Sequence, residues 1–139
     1  MKRLTGIGLG WRRALAQFVM ERRSLGFVEV LAEDVPEKGQ LPVSLVALKD
    51  RGCSFAVHSV SVSLGSAEGL DERALHHLAA VSERLGAKVA SEHVSFVRAG
   101  GRESGHLLPV PFTSVALEVL VENVRTAARH TPRRRSSQT

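Results

Sequence analysis

Short apolar runs alternate with longer stretches of helical period along most of this chain. Residues 4–9, LTGIGL, are apolar and glycine-bearing, and predict a first strand whose glycines let the backbone turn closely at its end. Over 13–24, Ala14, Leu15, Phe18 and Val19 recur at helical spacing, so an amphipathic helix stopped by Gly26 is expected. The β-branched run FVEVL at 27–31 reads as a second strand, and VPEKGQ at 35–40 as a loop. Pro42 stands where a first helical turn tolerates it, and 43–51 reads as a helix ended by Gly52.

The same alternation continues. A third strand is predicted over 54–62 and carries His58; Asp71 is a plausible N-cap for a helix in which Leu75, Leu78, Val81 and Leu85 run to Gly86. A fourth strand over 88–96 carries Glu92 and His93. Residues 98–105, RAGGRESG, read as a glycine-rich excursion, and the alternating prolines of 107–112 exclude an interior ladder strand. Thr113 or Ser114 is placed to cap a last helix over 115–128 with a broad apolar face. The expectation is therefore α/β, four βα units in a domain over 1–130, followed by a disordered basic tail over 131–139. The pattern fits either a small doubly wound sheet or four consecutive units of a (β/α)8 barrel.

Composition narrows the class. With 43% hydrophobic and 24% charged residues the chain is that of a soluble globular domain rather than a disordered one. A single cysteine, Cys53, excludes an internal disulfide and a cysteine-based zinc site. No apolar run approaches a membrane span, and the early glycines and Trp11-Arg12-Arg13 interrupt any signal-peptide core, so a cytoplasmic location is expected. The net charge of +5 gathers toward the two ends of the chain. That pattern is ordinary for a solvated helix face plus a solubilising tail. The competing reading, a nucleic-acid-binding module using Arg133 to Arg135, lacks aromatic interleaving and has no tyrosine at all.

Candidate chemistry lies at strand ends. His58 and Glu92 are an imidazole and a carboxylate at the carboxyl ends of adjacent predicted strands, donors that suit a metal ion. A hydrogen-bonded histidine and an ion-paired glutamate would leave the same trace. Alternation turns His93 away from the side that Glu92 faces. His76 and His77 are expected on the outer surface of the third helix, and His106 and His130 have no evident partner in the sequence.

The segments GIGLGWR at 6–12, FVEVLAEDV at 27–35, VHSVSVSLGS at 57–66 with LDERALHHL after it, VASEHVSF at 89–96 and HLLPVPFTSVAL at 106–117 carry a resemblance. Together, to about residue 128, the chain resembles the multinuclear non-heme iron-dependent oxidative enzymes, the family that includes the methanobactin-biosynthesis iron enzyme. The resemblance implies a TIM barrel with two or three irons at its strand ends. Those irons use dioxygen to modify cysteine or other residues of ribosomally made precursor peptides, usually with a separate peptide-recognition protein. His58 and Glu92 match metal-ligand positions of that family, and Glu29, Glu33 and Asp34 match a cavity-lining segment, Asp34 standing where the family usually has Asn. His93 is a further candidate donor at the cavity. Family members are longer, and their second half supplies most of the remaining ligands. The resemblance thus implies an N-terminal half-barrel, a partial or truncated enzyme inactive alone unless a homodimer closes the barrel. A divalent-metal hydrolase or isomerase on a related barrel is the alternative.

Overall fold

The computed structural model describes residues 4–130. Strands β1 (Gly8–Trp11), β2 (Phe27–Leu31), β3 (Phe55–Ser59) and β4 (Val89–Glu92) form one parallel sheet in the order β1-β2-β3-β4. Right-handed crossovers between strands laid down in one direction all return over the same face. Burial shows the result: Val28 and Val30 of β2 and Phe55, Val57 and Ser59 of β3 are sealed on one face, while Glu29, Leu31 and His58 on the other are half-buried. A doubly wound sheet reverses its strand order and covers both faces. These four strands do neither.

The first strand begins and ends later than its composition suggests. Gly26 lies against the backbone of Thr5 and Gly6, so close that a Cβ there would stand 1.8 Å from the Thr5 carbonyl oxygen. The Gly26 N–H also donates to the Ile7 carbonyl at 2.8 Å. Residues 5–7 are thus held in a crossing, and pairing with β2 starts only at Gly8. Trp11 is drawn into the sheet by its own burial, 1% exposed. The expected helix over 13–24 is shorter too: a 3-10 turn, Arg13–Leu15, leads into α1, Ala16–Glu21. No side chain caps either piece, and Arg22 is already extended.

α2 (Val43–Asp50) buries Leu45 and Leu48, and α3 (Glu72–Leu85) buries Leu75, Leu78, Val81 and Leu85. α3 has the ends its sequence announces. The Asp71 carboxylate accepts the Ala74 N–H at 2.9 Å, and Gly86 closes the helix in the left-handed region at φ 63°. Asp71 also pairs with Arg98 at 2.8 Å. Asp71→Ala is expected to lower stability by about 1–2 kcal/mol, chiefly through the lost cap. Urea unfolding of the two proteins measures it.

The largest departure follows β4. The fourth strand does not run to 96; it stops at Glu92, and the region read as excursion and proline-rich linker is an antiparallel hairpin, β5 (Ser95–Ala99) with β6 (Arg102–Pro109). Its turn is Gly100-Gly101, both at positive φ (59° and 69°), the combination that a two-residue type I′ hairpin turn requires. Pro109 is tolerated because a two-stranded ribbon has only edges. The hairpin docks on the loop after β3: Gly65 N–H donates to the Ser95 carbonyl (2.8 Å) and Val97 N–H to Ser63 Oγ (3.1 Å). α4 (Ser114–His130) follows, with Thr113 Oγ1 accepting the Ala116 N–H at 3.2 Å. Its apolar face is broader than what it covers, and Val115, Leu117, Val121 and Val124 remain exposed. The tail expected over 131–139 lies outside the described residues.

Candidate functional site at the carboxyl rim of the sheet

Register decides which rim side chains meet. Leu31, His58 and Ser91 form one row across β2, β3 and β4, and Ser59 pairs with Glu92 in the next. Side chains in one row share a face, and successive rows alternate. His58 therefore faces with Ser91, and Glu92 faces with Ser59. Observed contacts agree: His58 Nδ1 lies 2.9 Å from Ser91 Oγ, and the His58 ring meets the His93 ring edge-on, centroids 4.7 Å apart. His93 does turn away from Glu92's side, as alternation requires, and that is the side on which His58 stands.

Glu92 reaches the same rim from the opposite face. Its Oε2 accepts the Val62 N–H at 2.9 Å and its Oε1 the His93 N–H at 2.6 Å. Burial pushes its pKa above the ordinary carboxylate value. The bonds from His93, Val62 and Ser59 and the nearby charge of His58 reduce that rise without cancelling it.

Glu33 lies in a 3-10 turn, Ala32–Asp34, directly after β2. One oxygen, Oε1, accepts Ser59 Oγ–H (2.7 Å), Val60 N–H (3.0 Å) and Ser61 Oγ–H (2.8 Å). The residue keeps surface in water while its carboxyl is packed under the turn. That local desolvation favours the neutral form, but the bonds from Val60, Ser59 and Ser61 outweigh it and hold the carboxyl below its usual range. Glu29 sits two rows below on the face of His58, beside Ala56, and Asp34 is half-buried in the turn of Glu33.

His77 is not the surface residue its helix position suggests. Its Nε2 lies 2.8 Å from both the Ala32 and the Val35 carbonyl oxygens, so a protonated Nε2 donates to both ends of the turn that carries Glu33. The signal available in the sequence was its place on the shoulder of the Leu75, Leu78, Val81 stripe. His76 is exposed and faces the His130 ring at 5.9 Å, and His106 is exposed in β6.

Among the described residues no group of three or more His, Cys, Asp or Glu side chains is placed to hold a metal ion. The His58–His93 pair offers two imidazole donors on one face, a fragment of a metal site rather than a whole one. No described helix is long and apolar enough to cross a membrane.

A parallel βα array that gathers imidazole and carboxylate groups at the carboxyl ends of its strands is the working geometry of α/β enzymes, which place ligands at that rim. The chain belongs to a family of that kind: over residues 6–135 its sequence matches the RiPP precursor modification enzymes MbnB/TglH/ChrH. Among curated relatives, a UPF0276 protein of Streptomyces avermitilis is 46% identical over 129 residues, covering 88% of this chain and 26% of the relative. A UPF0276 protein of Caulobacter vibrioides is 33% identical over 124 residues, covering 88% and 44%, and one of Haemophilus influenzae is 30% identical over 126 residues, covering 88% and 41%. The chain thus spans less than half the length of each of these relatives.

Proposed function

We propose that this chain is the N-terminal half-barrel of an iron-dependent enzyme that modifies ribosomally made precursor peptides, and that His58 and His93 are two of its metal donors. The observation that supports this reading is the 4.7 Å edge-on approach of the two rings at the strand ends. With the proton on Nδ1 donated to Ser91 Oγ, His58 keeps the electron pair of Nε2 for a metal. Glu92 stands at the same rim, its hydrogen bonds joining the His93 N–H to the loop after β3.

The described residues do not make up a whole metal site of the family type. The remaining donors come from outside the described residues, either from more polypeptide of the kind the longer relatives possess or from a second copy closing the barrel. Alone, residues 1–139 are inactive on a precursor peptide, and delivery of that peptide by a recognition protein follows from the family reading. Anaerobic Fe(II) titration of the 139-residue chain tests the donor assignment. Weak binding that His58→Ala or His93→Ala each abolishes is expected. Iron retention equal to the unsubstituted chain in the double variant would overturn it.

A further inference from the structure

We propose that Glu33 is a positioning residue for the His58–His93 pair: it locks the backbone that leaves β3, and His77 locks the turn from which Glu33 reaches. The inference rests on the proposed function only in taking the two imidazoles to matter as donors.

β3 stops at Ser59, one residue after His58, and beyond it the N–H groups of Val60 and Val62 have no neighbouring strand to donate to. Both are taken up by carboxylates arriving from the flanking strands: Glu33, past β2, accepts Val60 at 3.0 Å, and Glu92, ending β4, accepts Val62 at 2.9 Å. Val60, two residues after His58, is thereby tied on one side to the turn after β2, and Val62 on the other side to β4. Glu33 does most of this, because its Oε1 also collects the Ser59 and Ser61 hydroxyls. Hydrogen bonds to an ionised acceptor are roughly twice as strong as neutral ones.

A clamp is only as rigid as its base. The turn bearing Glu33 is pinned at both ends by the His77 imidazole, which bridges Ala32 O and Val35 O. His77 is carried by α3, the best-defined helix of the chain, capped at both ends. A continuous set of contacts therefore runs from α3 through the Ala32–Asp34 turn to the exit of β3, the backbone that follows His58. Groups of this kind around metal-binding imidazoles hold ring orientation, and their loss weakens metal affinity by about 10- to 100-fold.

The test uses the 139-residue chain with labelled histidines. In the unsubstituted protein the His58 and His93 rings should show a cross-ring nuclear Overhauser effect, the Val60 amide should be protected from exchange, and Cu(II), used as the probe, should bind through the pair. Glu33→Ala, with its circular dichroism retained, should expose the Val60 amide, erase the ring contact and weaken Cu(II) binding about 10- to 100-fold. Glu33→Gln, which keeps an oxygen for the same donors, should restore much of all three, and it carries the test if the alanine variant does not fold. An alanine variant that lowers only the unfolding midpoint, with ring contact and Cu(II) affinity unchanged, would overturn the proposal. Dependence of the ring contact on Glu33 in a protein that binds no Cu(II) through His58 would support the clamp and defeat the donor assignment instead.

Discussion

Replacing Trp11 by alanine is expected to cost about 3–5 kcal/mol, a large share of the roughly 5–15 kcal/mol that holds a domain folded. Trp11 ends β1 in the row of Val30 and Val57, is 1% exposed, and its indole N–H donates to Ser44 Oγ at 3.1 Å. It thus joins the first strand, the sealed face of the sheet and the first turn of α2. Among the described strands β1 has only β2 beside it, so the indole is a principal link between it and the core. Trp11→Phe separates the contributions: most of the buried area is kept and the bond to Ser44 is lost, for about 1 kcal/mol. Urea unfolding followed by circular dichroism measures both, since each variant removes the single tryptophan. Equal midpoints for the phenylalanine and alanine variants would show that packing is not what Trp11 supplies.

Asn123→Ala is the second large effect, expected at about 2–4 kcal/mol. The Asn123 amide is buried within α4 and donates to Leu64 O (2.9 Å) and Ser66 O (2.8 Å), in the loop on which the hairpin also docks. Alanine leaves both carbonyls without that donor, at about 1–3 kcal/mol for each buried group. Because α4 leaves much of its apolar face in water, this polar anchor carries an unusual part of its attachment. Hydrogen exchange should therefore show α4 opening before the sheet. Asn123→Asp should be worse than alanine, because it turns acceptors toward acceptors. An alanine variant as stable as the unsubstituted protein would show that apolar contact along α4, not the amide, holds the helix.

Much of this architecture was written in local signals. β2 and β3 stand where their β-branched runs lie, α3 begins at Asp71 and ends at Gly86, and the alternation of strands with helices indicates the parallel sheet. What failed to show was anything set by pairing. The hairpin was hidden because Lys88 to Phe96 reads as one strand, although Gly100-Gly101 is a hairpin signal in its own right. The rim suffered from the same gap. A one-residue difference in register decides whether Ser91 or Glu92 stands beside His58, and no property of either strand alone fixes it. His77 escaped because helical periodicity names the face toward the sheet, not a neighbouring turn waiting for a donor.

The parallel sheet ends in two unlike strands, β1 and β4, and neither has a neighbour on its outer side among the described strands. Contact between copies that continues the parallel sheet with the same face sealed joins one kind to the other, head to tail. Such a union has only two outcomes: it shuts into a ring, or it lengthens into a fibre. Dilution should keep the isolated chain as single molecules, whereas concentrating it selects between a discrete assembly and a growing one.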